Sequence, residues 1–87
     1  MKYFKKRPIV ITAIQWNGVN TTEINQFLNR QAFVDRAGRL QINILEDTIF
    51  INKDDWIIRD VQGEFYPCKP DIFEITYEQV NPPKEEA

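Results

Sequence analysis

Histidine and serine are absent from this chain, and cysteine occurs once, as Cys68. Without histidine, neither a Ser–His nor a Cys–His pair can support nucleophilic catalysis, and a single thiol cannot complete an ordinary zinc site. One cysteine also excludes an internal disulfide. These absences remove the common hydrolase and zinc-protein classes. They predict a protein that acts by binding rather than as an enzyme, in a reducing, cytoplasmic setting and with no cofactor.

Glycine is scarce as well, and the three glycines lie too far apart to form a phosphate-binding loop. No apolar run approaches the roughly 20 residues that a membrane span needs, and no signal peptide is recognisable. Lys and Arg number 11 against 13 Asp and Glu, a formal net charge of −2. This balance argues against a dedicated nucleic-acid coat protein.

The chain does contain the material for a hydrophobic core, since 43% of its 87 residues are hydrophobic and 13% are aromatic. That composition predicts a folded chain, and the length suits one domain. We expect a single domain over residues 1–80 and a disordered, proline-bearing tail over residues 81–87.

The first half of the chain predicts a strand followed by a helix. Ile9–Trp16 is nearly all apolar and rich in β-branched residues, which favours a central strand. Residues 21–30 predict an amphipathic helix that starts with a capping box between Asn20 and Glu23. Its apolar positions recur at helical spacing, at Ile24, Phe27 and Leu28.

The second half predicts a meander of short antiparallel strands, because alternating apolar segments between Ala32 and Tyr66 are separated by polar turns. Pro67 and Pro70 cannot donate to a sheet, so the ladder should end there. Residues 72–79 fit either a helix or a strand, and we favour one or two helical turns from Pro70 onward. The predicted fold class is α+β: four to six antiparallel strands, either open or curled toward a barrel, with one amphipathic helix and a short C-terminal helical turn.

Thirteen apolar residues are expected in the core. They are Ile9, Ile11, Ile14, Trp16, Ile24, Phe27, Leu28, Leu40, Ile42, Ile44, Ile57, Phe65 and Phe73.

Candidate chemical groups each have an ordinary structural explanation. The acidic pairs Glu46–Asp47 and Asp54–Asp55 lie in predicted turns, where solvated carboxylates are common. Cys68 is expected to be an inert thiol, since a free cysteine usually behaves as a small hydrophobe.

The most unusual stretch runs from Glu64 to Asp71 and combines an aromatic pair, prolines and both charge signs. A rigid loop carrying Tyr66 and Lys69 would make a binding edge for a protein partner, and this is our leading hypothesis. A small-molecule or nucleotide site is the alternative, in a cleft at the sheet end, with aromatic stacking on Trp56 and the cations Arg59 and Lys69 beside it. The candidate binding residues are Trp56, Arg59, Glu64, Tyr66 and Lys69.

A third hypothesis is a nucleic-acid-binding accessory that uses the basic N-terminal arm. The positive charges of this arm could contact nucleic-acid phosphates beside the aromatic residues Tyr3 and Phe4. The arm's positive charges are Lys2, Lys5, Lys6 and Arg7. The ordinary explanation is an edge strand that its lysines keep soluble, and the negative net charge favours it.

Three blocks of this sequence resemble a family of small proteins encoded by tailed bacteriophages and prophages. They are M-K-Y…K-K…P with A-I-Q-W-N-G in residues 1–18, D-W-I-I-R at 55–59, and G-E-F-Y-P-C-K-P-D-I-F-E…T-Y-E at 63–78. The resemblance implies a phage accessory protein in the host cytoplasm that acts by binding a host or phage protein, including host-defence factors, as a monomer or small homo-oligomer. Family members carry Pro-Gly-Asp-Trp where this chain has Lys53-Asp54-Asp55-Trp56. The missing glycine predicts a turn that does not need positive φ at residue 54.

Overall fold

The computed structural model describes residues 1–5 and 8–81, and this part of the chain forms six short strands and two helices. The α+β class is therefore confirmed. The elements are β1 Thr12–Gln15, α1 Thr21–Leu28, β2 Phe33–Val34, β3 Leu40–Ile44, β4 Asp47–Ile51, β5 Trp56–Arg59, β6 Phe65–Cys68 and α2 Pro70–Thr76.

The strands form two antiparallel three-stranded sheets, with the orders β1-β5-β6 and β2-β3-β4. We call them the first sheet and the second sheet. Of the open and barrel-like alternatives, the structure has the open one, since neither sheet closes on itself within the described ranges. The central place predicted for the first strand is wrong, because β1 pairs only with β5 and lies at a sheet edge. Its apolar composition reflects packing on the core rather than pairing on both sides.

The same five-residue turn closes one hairpin in each sheet. In Asp35–Arg39 and in Asp60–Glu64, Oδ1 of the aspartate accepts the backbone amides two and four residues later, at 2.9 Å each. The glycines of the two turns have φ of 80° and 81°, the left-handed region that favours glycine. An Asp-x-x-Gly spacing thus specifies both turns locally.

Helix α1 begins without the expected capping box, because no side chain caps its N-terminus. Asn20 is used differently: its Oδ1 accepts the Asn17 amide and its Nδ2 donates to the Gln15 carbonyl, both at 2.9 Å. The side chain therefore ties the end of β1 to the start of α1. The helix ends two residues earlier than predicted, since Asn29 takes a left-handed conformation at the C-cap.

The core lies between α1 and the inner faces of both sheets, and its fully buried members include Trp16, Ile24 and Leu40. Ile9 was predicted to be buried but is 46% exposed, because residues 8–11 precede β1 without regular secondary structure. Three buried apolar residues were not predicted: Ala32, Ile51 and Ile58. Six predicted members are only partly buried: Ile11, Ile14, Phe27, Ile44, Phe65 and Phe73.

The proline-rich segment behaves differently from the prediction that the ladder ends at Pro67. Strand β6 continues through Pro67 to Cys68, with Pro67 opposite Ile57. This is tolerated because β6 is an edge strand, where a nitrogen that faces the open side loses no ladder hydrogen bond. The expected helical turns after Pro70 are confirmed as α2, and Tyr77 leaves the helix in an extended conformation.

The backbone differs from expectation at Asp54 and in the N-terminal arm. Asp54 has φ of 75°, so the expectation of a turn without positive φ at this position was wrong. The N-terminal arm shows no strand in residues 1–5 or 8–11, which contradicts its interpretation as an edge strand. Lys6 and Arg7, and the predicted tail after Asn81, lie outside the described residues.

Candidate functional site

The candidate residues lie on or beside the first sheet, but they do not all lie on the same face of it. Strand register places Trp56 opposite Cys68 and Ile58 opposite Tyr66, so these four side chains share one face. We call it the α2 side, because Phe73 of α2 stacks on Trp56 there. Arg59 pairs with Phe65 on the other face, which carries the core contacts. The structure therefore brings Trp56 and Tyr66 together and places Arg59 apart from them.

A run of aromatic rings fastens α2 to the sheet. The rings of Trp56 and Phe73 are parallel within 6°, with centroids 4.0 Å apart. Tyr77 continues the run at 5.0 Å from Phe73, with an angle of 31° between the two rings. Offset stacking of this kind adds to simple area burial. Since one face of the Trp56 indole is covered by Phe73, the indole serves helix docking in this structure.

Lys69 is held by a buried carboxylate. Its ammonium lies 3.3 Å from Oδ2 of Asp55, and the same oxygen accepts the Asn52 amide at 3.1 Å. Asp55 is 5% exposed, and it is the one buried charged side chain in the described ranges. The prediction of a solvated Asp54–Asp55 pair was therefore wrong at Asp55. The buried carboxylate is satisfied from both sides, by the Asn52 amide and by the Lys69 ammonium.

Tyr66 and Glu64 form a hydrogen-bonded pair on the surface, in which the Tyr66 hydroxyl donates to Oε2 of Glu64. The bond to Glu64 is the main reason, with partial burial and Asp60 as further causes, that the pKa of Tyr66 is raised to about 12. Tyr66 therefore remains a neutral hydrogen-bond donor at every physiological pH. Its ring is 45% exposed and presents an apolar surface beside this polar end.

Arg59 lines a shallow groove between the N-terminal segment and the second Asp-x-x-Gly turn. The groove is bordered by Val10–Thr12 on one side and by Asp60, Val61 and Gly63 on the other. Lys69 and Trp56 are not part of this groove. The three residues of the small-molecule hypothesis thus do not line one cleft.

Sequence reasoning overlooked the outer face of the second sheet, which carries Phe33, Gln41 and Phe50 in one cross-strand row. Phe33 is 53% exposed and Phe50 is 45% exposed. The guanidinium of Arg39 lies 4.5 Å from the centroid of the Phe50 ring. The alternation of the β3 residues indicated a polar face here, but pairing with β2 and β4 was needed to bring the two aromatic rings onto it.

Two absences concern the described residues as a whole. Neither α1 nor α2 is long and apolar enough to cross a membrane. Over residues 1–5 and 8–81, no three His, Cys, Asp or Glu side chains are grouped so that they could hold a metal ion. The free thiol of Cys68 is partly exposed, and its Sγ lies 3.6 Å from the Lys69 carbonyl oxygen.

Comparison with known proteins gives no match: no family model, no curated protein and no solved structure is detectably similar to this chain.

Proposed function

We propose that this protein acts without catalysis, by binding a protein partner through the α2 side of the first sheet. The observation that carries the proposal is the exposure of α2. None of its seven residues is buried, and Ile72 and Ile75 are 54% and 87% exposed. Isoleucines on a short helix that is rigidly docked on a sheet are typical of a surface that another molecule covers.

The charges around these isoleucines indicate which charge the partner's surface should carry. Asp71 and Glu74 belong to α2, Glu78 follows it, and Glu64 lies beside Tyr66. The nearest cation, Lys69, is engaged with Asp55. We therefore infer a partner with an apolar groove bordered by basic residues, since such a surface matches both the isoleucines and the acidic rim.

The resemblance to bacteriophage proteins supplies the biological context of the proposal. We infer that the partner is a host or phage protein in the cytoplasm of an infected bacterium, and host-defence factors are one class that such small proteins bind. Tyr66 contributes a half-exposed aromatic ring whose hydroxyl is held by Glu64, and tyrosine is a residue type enriched at interface centres.

Co-purification from phage-infected cells, quantified by mass spectrometry, tests the proposal. We expect one dominant partner with the natural chain and its loss with Ile75→Asp and with Tyr66→Ala. Leu45→Asp is the matched control, because Leu45 is 99% exposed but lies on the second sheet. Equal recovery of the partner with Ile75→Asp and Leu45→Asp, or recovery of no specific protein, would contradict the proposal.

A further inference from the structure

The outer face of the second sheet carries hydrogen bonds between polar side chains beside its aromatic rings. Thr48 Oγ1 donates to Oδ1 of Asn43 at 2.9 Å, and Gln41 Nε2 donates to Oδ2 of Asp35 at 3.3 Å. The polar side chains on this face are thus held by one another. The aromatic rings of Phe33 and Phe50 stay half-exposed between them, about 10 Å apart across two strand spacings.

Arg39 is positioned on this face by two contacts. Its Nε donates to Oδ2 of Asp35 at 2.9 Å, and its guanidinium lies over the Phe50 ring. The side chain of Asp35 is 15% exposed and that of Arg39 is 44% exposed, so the acid is largely covered while the cation is presented. Among the described residues, the terminal Nη atoms of Arg39 donate no hydrogen bond. The free part of the guanidinium is therefore preorganised to meet an anion.

Charge is unevenly distributed along this sheet. Arg36 is exposed in the same turn as Arg39, so this end carries two cations against the single covered carboxylate of Asp35. The acids Glu46 and Asp47 lie at the opposite hairpin end of β3 and β4. The aromatic row is only two residues along β3 from Arg39. Exposed rings therefore lie directly beside the cationic end.

We propose that this face binds single-stranded nucleic acid. A base stacks on the Phe33 ring, and the phosphates of the strand contact Arg39 and Arg36. The amide oxygen of Gln41, whose nitrogen is engaged by Asp35, faces a base edge between the two rings. Stacking on a sheet face next to arginine is a sequence-tolerant way to hold an unpaired strand.

An acidic peptide is the competing occupant, and the observations favour it less. Its carboxylates would satisfy Arg39 and Arg36 but would leave the half-exposed Phe33 ring without a planar partner, whereas Arg39 already lies over Phe50. A nucleotide satisfies both the Phe33 ring and the cations. The chain's net charge of −2 weakens long-range attraction, so binding is strongest at low ionic strength.

Fluorescence anisotropy with a labelled oligothymidylate and a labelled oligouridylate at low ionic strength tests the proposal. Phe33→Leu keeps an apolar side chain but removes the ring, and we expect it to weaken binding roughly 5-fold to 100-fold. Phe33→Tyr keeps the ring and should bind like the natural chain. Ile75→Asp, which tests the protein-binding surface of the first sheet, should leave oligonucleotide affinity unchanged.

A salt titration measures the phosphate contacts directly. Arg36→Gln should reduce the slope of log K against log salt concentration by about 0.7, the value for one phosphate contact to a single strand. Circular dichroism of each variant verifies that the fold is retained. Absence of binding at low salt, equal affinity of Phe33→Leu and Phe33→Tyr, or preference for polyglutamate over the oligonucleotides would each overturn the proposal.

Discussion

The ammonium of Lys69 lies 3.3 Å from Oδ2 of Asp55, a residue 14 positions earlier in the chain. This contact joins the turn before β5 to the residue that precedes α2. The Asp55 side chain is 6% exposed and that of Lys69 is 57% exposed, so the two partners do not contribute equally to stability. The buried oxygen also accepts the Asn52 amide, which organises the turn itself.

We expect Asp55→Ala to lower the free energy of unfolding by about 1–3 kcal/mol, because the Asn52 amide then loses its acceptor. Lys69→Met should cost less than about 1 kcal/mol, since an ion pair with an exposed partner is weak. Urea denaturation of both variants and of the double variant measures the two effects and their coupling. Comparable losses for the two single variants would show that the ion pair dominates, against this prediction.

The hairpin between β3 and β4 contains one residue with a strained backbone, Leu45, and a single substitution should relieve that strain. Leu45 has φ of 54° and is 99% exposed, so this bulky residue occupies the left-handed region and contributes no burial. Glycine is favoured at the first position of such a two-residue turn. Leu45→Gly should raise the free energy of unfolding by up to about 1 kcal/mol, as the left-handed penalty outweighs the entropy cost of glycine.

Thermal or urea unfolding of Leu45→Gly measures this gain. The control is Val61→Gly, an exposed turn residue of the first sheet that has no positive φ. It should be neutral or destabilising, and stabilisation by both substitutions would point to loss of exposed apolar surface instead of relief of strain.

The two Asp-x-x-Gly turns should make the fold sensitive to acid. Partial burial alone would raise the pKa of Asp60, but hydrogen bonds from the Glu64 and Gln62 amides outweigh it and hold the pKa below the ordinary 3.8. Asp35 behaves in the same way, with partial burial opposed and exceeded by hydrogen bonds from Arg39, Gln41 and Ala37. The unfolded chain therefore takes up protons first as the pH falls.

Both carboxylates thus contribute stability that is present above pH 3.8 and is lost as the pH falls through their folded-state pKa values. Melting temperatures measured from about pH 6 down to about pH 2 should show this decline. Asp60→Asn keeps an acceptor for the amides but cannot titrate, so its profile should be flatter than that of the natural chain. An unchanged acid profile in this variant would assign the decline to other groups.

The stack of Phe73 on Trp56 predicts a spectroscopic signature. Phe73→Ala should release α2 from the first sheet and expose the Trp56 indole, shifting tryptophan emission to longer wavelength and lowering stability by at least about 0.5–1.5 kcal/mol. Phe73→Tyr preserves the stack and is the matched control. Trp16 is fully buried and should report only global unfolding. Emission that stays unchanged in Phe73→Ala would mean that another contact holds the helix.

Local sequence signals predicted much of the fold correctly. The spacing of Ile24, Phe27 and Leu28 identified α1, and the alternation of Leu40, Ile42 and Ile44 identified β3 with its inner face. Pro70 and Asp71 marked the start of α2. These signals succeed because helical and strand periodicity depend on neighbours within a few residues.

The candidate site was less accessible to sequence reasoning. Nothing local to Trp56 indicates that Phe73 covers it, and nothing local to Asp55 indicates that Lys69 reaches it. Arg59 and Tyr66 are both β-strand residues, but strand register alone places them on opposite faces of the first sheet. Shifting the pairing by one residue would exchange those faces, so the grouping depends on long-range pairing.

The amino-acid sequence by itself determined helix α1, the alternating strand β3 and the two Asp-x-x-Gly turns, because those features depend on side chains close together along the chain. Only the tertiary structure decided that the strands divide into two sheets, that β1 lies at an edge and that Asp55 is buried. It also decided that Phe33 and Phe50 share an exposed face with Arg39. The reason is physical: sheet order, register and burial are set by contacts between segments far apart in the chain, which no local pattern specifies.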